Sequence, residues 1–420
     1  MIYNFLLFLY FLYSLPKVIY EYLFFKKKKS DFLKRLGFKK YQFNPKPESL
    51  IIWIHAVSVG ETKAAKSLLQ KLKSQYKNSY IIISSITETG HIEAKRSLSI
   101  ADKFIFFPFD FSFSVNRVFS QIKPDLLIFM ETDFWPNFIR IAKKNRAKIV
   151  AVSAKISERS YHRYLKLSKF SKSLFQNFDL ILTQTDLFSK KFVKFAKKEK
   201  VFNIGNLKLS NIPKTYPKKI LDDYRAKLNI QNQHIITIAS THENEEELLI
   251  TKLKDIPNTK ILIAPRHPER FNIVYKQLQK ITPCSLFSRL NSSNKNSNII
   301  LIDKMGILDA LYQISSLAIL GGSFINRVGG HNILEPIFSN TPVFFGPYMH
   351  SQLELKKLAL DNLAAKSLTL ENITSEITEY LKDNFYQNQL RLNCTKLKNS
   401  YKNILDNTFD KIYNLLESNC

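Results

Sequence analysis

The chain of 420 residues is poor in cysteine, glycine and tryptophan, with three, ten and two residues respectively. Cys284, Cys394 and Cys420 are far apart and odd in number, which argues against a disulfide framework or a cysteine metal site. This cysteine pattern indicates a reducing compartment. Acidic residues are also scarce, at 35 against 63 lysines and arginines, and the net charge is +28. This excess of positive charge implies an anionic partner: nucleic acid, anionic lipid or a phosphorylated substrate.

Two nucleotide-binding signatures are missing. The chain has no G-x-x-x-x-G-K-[ST] loop, and no G-x-G-x-x-G follows its first predicted strand. ATPase and dehydrogenase functions therefore lose support.

The N-terminus, "MIYNFLLFLYFLYSL", is apolar and aromatic and is followed by four lysines at 26–29. Its uninterrupted part is roughly fourteen residues, against the ~20 that a spanning helix needs. It lacks an A-x-A-like cleavage site, so we expect an uncleaved membrane anchor. The anchor is either a short span or an interfacial helix, and the basic flank places the body of the protein on the cytoplasmic side.

From residue 50 onward, apolar strands such as "LIIWIHAV" and "DLLIFME" alternate with amphipathic segments. Continuous apolar strands interleaved with helices predict parallel sheets that are covered on both faces. A second series, including "HIITIAST" and "LAILGGS", follows a stretch rich in proline and lysine. We expect an α/β protein with two open domains and a ligand cleft between the carboxyl ends of their sheets. The predicted boundaries are an anchor with its basic flank (1–29), a first domain (30–205), a linker (206–230) and a second domain (231–420).

Glu61 lies in "HAVSVGE", at the end of the first predicted strand. Ser58 and Glu61 have the spacing of a capping box, which needs no catalytic role. The same position, at the carboxyl edge of an open sheet, also suits a general base. A base would need a hydrophobic wall or a neighbouring acid, because the helix dipole lowers its pKa. Both interpretations stay open from the residues alone.

Other polar groups also follow predicted strands. Glu131 comes after "LLIFM", where a cap or an ion-pair partner is the ordinary interpretation, and Lys155 follows the next strand. In the second half, "IASTHENEEELL" is typical of a capped helix start. "LIAPRHPERF" supplies Arg266, His267 and Arg270, and arginine suits phosphate.

The segment "GGSFINRVGGHNILEPI" holds four of the ten glycines, and Gly346 follows closely. Gly329 and Gly330 let the backbone approach a ligand. His331 and Asn332 are predicted to open a helix whose free amides hold an anion. Together with Arg266 as counter-charge and Glu335 for ribose hydroxyls, this segment predicts a nucleotide in the second domain.

Taken together, these motifs resemble the 3-deoxy-D-manno-octulosonic acid (Kdo) transferases of lipopolysaccharide assembly, which are inverting glycosyltransferases of GT-B architecture. The resemblance covers roughly residues 50–350 and rests on "HAVSVGE", "ETDFWPN", "SERSYHRY", "GNLK", "ASTHENEE", "APRHPERF" and "GGSFINRVGGHNILEP", in that order.

The resemblance implies a role for each matching residue. Glu61 would be the general base, and Glu131 and Lys208 would stabilise the transition state. The segments that hold CMP would be Pro265 and Arg266; Met305, Gly306 and Ile307; and Asn332, Ile333, Leu334 and Glu335.

The resemblance also implies the substrates. The donor would be CMP-Kdo and the acceptor a tetraacylated lipid A precursor, lipid IVA, at the cytoplasmic face of the inner membrane. CMP-Kdo is a substrate, so no cofactor and no metal are expected. The positive charge is assigned to the anionic surface of that membrane.

Two departures from the family's pattern stand out. The family usually has Met-Gly-Glu where this chain reads "KMGILDALY", with Ile307 in the glutamate's place. "GNLKLS" lacks the family's aromatic-acidic ending, which bears on the neighbourhood of Lys208.

Two other functions are compatible with parts of the sequence. A GT-B transferase that uses a UDP-sugar on another membrane lipid is the alternative enzyme. A membrane-tethered nucleic-acid-binding protein would interleave aromatic and basic residues on a sheet face. The basic runs here lie mostly on predicted helices, so nucleic acid is not the expected partner.

Overall fold

A computed structural model describes residues 2–25, 32–38, 40–210, 212–290 and 296–418. The chain divides into two compact units, Met1–Asn211 with Asn403–Cys420, and Ile212–Lys402. The predicted basic flank at 26–29 lies outside the described residues.

Two parallel sheets organise the described residues. The first sheet contains β1 (Leu50–His55), β2 (Ser79–Ser85), β3 (Lys103–Phe106), β4 (Leu126–Met130), β5 (Lys148–Ala154), β6 (Leu180–Thr183) and β7 (Val201–Asn203). The second contains β8 (His234–Thr241), β9 (Thr259–Pro265), β10 (Cys284–Leu286), β11 (Ile299–Leu301), β12 (Leu317–Leu320), β13 (Val343–Phe345) and β14 (Ala365–Ser367).

Helices connect the strands and cover the sheets. They are α1 (Ile2–Phe25), α2 (Phe32–Arg35), α3 (Val59–Gln75), α4 (Glu88–Ser97), α5 (Ser112–Ile122), α6 (Pro136–Lys144), α7 (Glu158–Lys166), α8 (Ser168–Phe175), α9 (Asp186–Phe192), α10 (Lys218–Lys227), α11 (Glu245–Leu253), α12 (Phe271–Gln279), α13 (Leu308–Ile314), α14 (Leu334–Phe338), α15 (Leu353–Asp361), α16 (Ile373–Lys382), α17 (Asn384–Lys402) and α18 (Ile404–Glu417).

The strand orders are β3-β2-β1-β4-β5-β6-β7 and β10-β11-β9-β8-β12-β13-β14, and neighbouring strands run parallel. The prediction of two α/β domains with parallel sheets is confirmed. All residues of β4 and β9 are buried, as expected for strands covered on both faces. The strand order reverses between β1 and β4 in one sheet and between β8 and β12 in the other. In this class of fold, ligands bind outside the carboxyl ends of the strands at such a reversal.

The C-terminal helix corrects the predicted boundaries. Residues 231–420 were assigned to the second domain, but α18 packs on α3, β5 and β6 of the first unit. Its buried face of Ile404, Phe409 and Ile412 supplies the reason, because that apolar stripe must be covered. The predicted linker is also shorter than expected, since Leu207–Ser210 forms a 3-10 turn of the first unit and Lys218–Lys227 is helical.

Helix α1 is held on the first unit by polar and aromatic contacts. The Tyr3 hydroxyl donates to Asp110 Oδ2 at 2.8 Å, and the Phe11 ring meets Phe111 edge-on at 5.6 Å. Across the residues that the structure describes, no helix has both the length and the apolarity that crossing a membrane requires. The spanning form of the predicted anchor therefore finds no support.

Candidate active site

Glu61 is buried at the start of α3, directly beyond the end of β1, and is 8% exposed. Its Oε2 accepts a hydrogen bond from the Val57 amide at 2.7 Å, and its Oε1 accepts one from the Ser58 hydroxyl at 3.0 Å. The Glu61 amide in turn donates to Ser58 Oγ at 3.3 Å. The capping geometry is therefore present. Since a carboxylate has about four acceptor positions, these two bonds leave capacity for a further proton donor.

The surroundings of Glu61 raise its pKa above the ordinary value for a glutamate. Burial is the largest cause, and the negative charges of Glu131 and Asp133 act in the same direction. The bonds from Val57 and Ser58 oppose the shift because they stabilise the anion. Burial and a neighbouring acid, which a base needs at a helix start to offset the dipole, are therefore both present.

Glu131 lies at the end of β4, next to β1 in the sheet, and its side chain is 4% exposed. Its carboxylate pairs with two ammonium groups, Lys155 Nζ at 2.9 Å and Lys208 Nζ. Glu131 itself has a left-handed backbone, with φ of 60°. A strained polar residue that is held this firmly is typical of functional sites.

Two local features place Lys208 beside these acids. Ser153 forms a bulge in β5, with φ of 53°, and its hydroxyl accepts a hydrogen bond from the Leu207 amide at 2.8 Å. On the other side, a Cβ added to Gly60 would lie 3.3 Å from Lys208 Nζ. Glycine therefore keeps room for the ammonium at the first turn of α3. The structure brings together the three residues predicted as catalytic, Glu61, Glu131 and Lys208, and adds Lys155.

In the second unit, the strand ends are held by buried glutamates. Glu245 is fully buried and accepts hydrogen bonds from the amides of His242, Gly322 and Phe324, at 3.0, 2.6 and 2.9 Å. Glu246 accepts two hydrogen bonds from Arg270, at 2.7 and 3.1 Å. These acids fix the loops after β8, β9 and β12 relative to one another, so their role is structural.

The segments predicted to hold CMP lie at this same edge. Pro265 is buried at the end of β9, while Arg266 is exposed and its amide donates to the Thr241 carbonyl at 3.0 Å. Met305 is 54% exposed, and Gly306 has a left-handed backbone, with φ of 79° and open space where a Cβ would stand. Ile307 is 6% exposed and packs in an apolar cluster with Leu311. At the position of the family's glutamate, the buried Ile307 therefore offers a ligand no polar side chain.

The glycine-rich segment differs from the prediction in one respect. Helix α14 begins at Leu334, not at His331 or Asn332, and has five residues. The Asn332 carbonyl oxygen accepts from the Leu334 amide at 3.1 Å, and its amide nitrogen donates to Glu335 at 3.3 Å. Asn332 and Glu335 are exposed, whereas Ile333 and Leu334 are buried and can meet a ligand only through their backbone. The predicted helix start at His331 and Asn332 is therefore wrong, and a helix of five residues has little dipole. Binding of an anion by the free amides at this start stays a prediction.

Three histidines also meet at this edge, and sequence reasoning did not group them. His242 Nε2 lies 2.8 Å from His331 Nε2, and the ring centres of His242 and His267 are 5.5 Å apart. Their positions in the sequence could have indicated this grouping, because each histidine follows a predicted strand. The three strands β9, β8 and β12 are neighbours in the sheet. Among the described residues, no group of three or more His, Cys, Asp or Glu side chains has an arrangement that could hold a metal ion. The expectation of a metal-free reaction stays a prediction.

The fold places the chain among α/β proteins that are built from two parallel sheets. The UDP-GlcNAc 2-epimerase of Neisseria meningitidis, solved with UDP-GlcNAc, has a TM-score of 0.52, with 86% of this chain and 99% of that chain covered. At 15% identity, this likeness shows the fold alone.

Sequence comparison identifies the family within that class. The model of the 3-deoxy-D-manno-octulosonic-acid transferases (kdotransferases) matches residues 30–211. The 3-deoxy-D-manno-octulosonic acid transferase of Haemophilus influenzae is 33% identical over 333 residues, which cover 78% of this chain and 77% of that protein. The chain belongs to the Kdo transferase family, as its motifs indicated.

A larger relative shares the same region. A bifunctional glycosyltransferase/methyltransferase of Fusobacterium nucleatum is 34% identical over 398 residues. The match covers 90% of this chain and 61% of that protein. The chain thus spans about three fifths of that relative.

Proposed function

We propose that the chain transfers Kdo, with inversion, from CMP-Kdo to a hydroxyl group of the tetraacylated lipid A precursor. The observation that carries the proposal is Glu61, a buried carboxylate of raised pKa at the reversal point of the first sheet, next to the Glu131–Lys155–Lys208 ion pairs. Membership of the Kdo transferase family supports the choice of sugar.

The chemistry requires a base. The acceptor oxygen forms a bond to the anomeric carbon, while the bond from that carbon to the phosphate oxygen breaks and its electron pair leaves with CMP. The acceptor hydroxyl is a poor nucleophile until its proton is removed, and Glu61 takes that proton. A pKa raised toward neutrality makes this carboxylate a stronger base than an exposed glutamate.

Charge at the reacting centre is handled by the neighbouring groups. The transition state has oxocarbenium character, so the negative carboxylate of Glu131 stabilises it, and Lys208 holds that carboxylate in place. Arg266 and the backbone of the Met305–Gly306–Ile307 turn are assigned to the departing CMP. An arginine beside a phosphate stabilises the charge that develops on leaving.

Helix α1 is assigned to the anionic surface of the inner membrane, with both units on the cytoplasmic side. It is fixed to the first unit at Tyr3 and Phe11, yet most of its described apolar side chains face outward. The exposed set is Phe5, Leu6, Phe8, Leu9, Tyr10, Leu12, Tyr13 and Tyr20. An aromatic, apolar helix beside a strongly basic body suits the interface of an anionic bilayer.

The test is direct. Purified protein is incubated with CMP-Kdo and the lipid A precursor, and the mass of the product is measured, which also counts the sugars added. We expect Glu61→Gln to lower turnover by about 100-fold or more while CMP binding and thermal stability stay near normal. Turnover with a UDP-sugar and none with CMP-Kdo would favour the alternative transferase.

Glu88→Gln is the matched control, because Glu88 occupies the first turn of α4, after β2, and is exposed. It should leave turnover unchanged. Full activity of Glu61→Gln would mean that Glu61 serves only in the capping of α3 and is not the base.

A further inference from the structure

The three histidines of the second unit reach one place from three strand ends. His242 follows β8, His267 follows β9, and His331 lies in the loop after β12. Strand β8 lies between β9 and β12, so these loops are adjacent. The rings of His242 and His331 are nearly parallel, at 12°, with centres 5.0 Å apart. We call His242, His267, His331 and Arg266 the histidine cluster.

Two members of the histidine cluster, His242 and His267, line a cavity of about 230 Å³ together with Glu243, Arg270 and Arg327. The acids near this cavity are already engaged. Glu246 is bound to Arg270, Glu269 lies 3.6 Å from His267 Nδ1, and Glu243 lies 3.6 Å from Arg327. Glu245 is turned inward onto backbone amides. No ion pair of Arg266 occurs within the described ranges.

Burial, and secondarily the surrounding positive groups, suppress protonation of the His242–His331 pair. Burial lowers the pKa of His331 to about 4, with further lowering by His242, Arg266 and His267. Burial also lowers the pKa of His242, and His267, Arg270 and Arg266 add to the effect against the raising influence of Glu246. Both rings are therefore neutral near pH 7. One Nε2–H then donates to the other Nε2, and a second proton would break that bond.

We propose that His242, His267 and Arg266 bind an oxyanion attached to the anomeric carbon of the donor, and that His331 is a positioning residue that sets the proton of His242. The inference rests on the proposed function. In CMP-Kdo the phosphate and the sugar carboxylate are both attached to that carbon, and either supplies the same chemistry. An oxyanion favours the protonated imidazole, so donor binding draws in a proton, separates the pair and frees an Nε2–H for the ligand.

Isothermal titration of the full chain with CMP-Kdo, in buffers of different ionisation enthalpy, measures this proton directly. We expect net proton uptake, and a donor affinity that rises as the pH falls from about 8 to about 6. Both anionic groups of the donor stay ionised over that range. His331→Gln should abolish most of the uptake and weaken donor binding about tenfold, the size of one lost charge-assisted hydrogen bond.

Two further variants test whether the loss of donor binding is specific to the histidine cluster. His267→Gln changes a side chain that is 49% exposed, so the fold should survive, and donor binding should weaken again. His234→Gln is the control, because His234 lies at the opposite end of β8. It should change neither affinity nor proton uptake.

Titration with CMP alone separates the two anions, since the difference between wild type and His331→Gln cancels any titration of the ligand itself. If wild type and His331→Gln differ in proton uptake by the same amount with CMP as with CMP-Kdo, the bound oxyanion is the phosphate. If they differ only with CMP-Kdo, the bound oxyanion is the sugar carboxylate. If wild type transfers Kdo but both histidine variants bind the donor with unchanged affinity and proton uptake, this inference is overturned while the proposed function stands. If wild type does not transfer Kdo, the proposed function itself fails.

Discussion

The carboxyl edge of the first sheet carries acids paired with lysines, whereas the same edge of the second sheet carries histidines and arginines around internal glutamates. In the first unit, Glu61 and Glu131 lie at the strand reversal, and burial together with the charge of Glu131 raises the pKa of Glu61. In the second unit, Glu245 accepts hydrogen bonds from backbone amides, and Glu246 pairs with Arg270. One topology thus presents carboxylates paired with lysines in one unit and imidazoles beside guanidinium groups in the other, because the side chains after the strands differ.

The two edges share a backbone device. β5 and β8 each contain a one-residue bulge at a serine of left-handed backbone, Ser153 and Ser240, with φ of 53° and 57°. A bulge redirects the chain as it leaves the sheet. In the first unit the bulge also carries a hydrogen bond that holds the turn bearing Lys208. The same strained position therefore serves a site in one unit, and close backbone packing against Gly321 in the other.

The largest contrast should come from removing one cation in each unit. Lys208→Met should lower kcat about 100-fold, since on the proposed mechanism Lys208 holds the Glu131 carboxylate that stabilises the transition state. It should change the free energy of unfolding by less than about 1 kcal/mol, because the lysine is 35% exposed and Lys155 still pairs with the buried Glu131.

Arg270→Met is the counterpart, and should destabilise the second unit by about 3 kcal/mol because it strands the buried Glu246. Denaturant unfolding and steady-state kinetics on both variants check the pair. An unstable but fully active Lys208→Met would show that the contrast between the units is misplaced.

A second prediction concerns the pH dependence of the proposed base. The charge of Glu131 raises the pKa of Glu61, so Glu131→Gln should lower that pKa. The base then stays ionised at lower pH, and the acidic limb of the kcat/KM profile moves to lower pH, whatever the loss in rate. Asp133→Asn should move it the same way by less, since Asp133 is the weaker influence. An unmoved limb in both variants would mean that another group governs it.

The smallest effect should come from the two bulges. Ser153→Ala leaves the buried Leu207 amide without its acceptor and should cost about 1–2 kcal/mol, with reduced kcat through Lys208. Ser240 makes no comparable side-chain bond in the described part of the chain, so Ser240→Ala should stay within about 0.5 kcal/mol. Thermal unfolding separates them, and equal losses would remove the distinction between the two bulges.

Much of the candidate site follows from strand ends. Glu61, Glu131 and Arg266 attracted attention because each lies shortly after an apolar strand, and parallel strands bring their carboxyl ends to one edge. The catalytic roles of Glu61 and Glu131 came from the resemblance to the Kdo transferases. Lys208 was assigned from the family motif alone, since it follows the short strand β7 at the far end of the sheet order. Its approach to Glu131 depends on the bulge at Ser153 and the space beside Gly60, and neither has a signature in the residue order.

Other features depended on contacts between distant segments. The His242–His331 pair joins residues 89 positions apart, and α18 returns to the first unit after the whole second unit has been built. The short helix at Leu334 was predicted to start earlier, because Asn332 looks like a cap yet bonds within its own turn.

By itself the sequence determined the two α/β units, their parallel sheets and the family, because hydrophobic periodicity and motifs are local properties of the chain. Only the tertiary structure decided that Glu61 both takes part in the capping of α3 and has a raised pKa. It also decided that Lys155 and Lys208 both pair with the Glu131 carboxylate, and that His242, His267 and His331 meet at one edge. Burial and charge depend on which strands become neighbours, and that order is set by the packing of the whole unit.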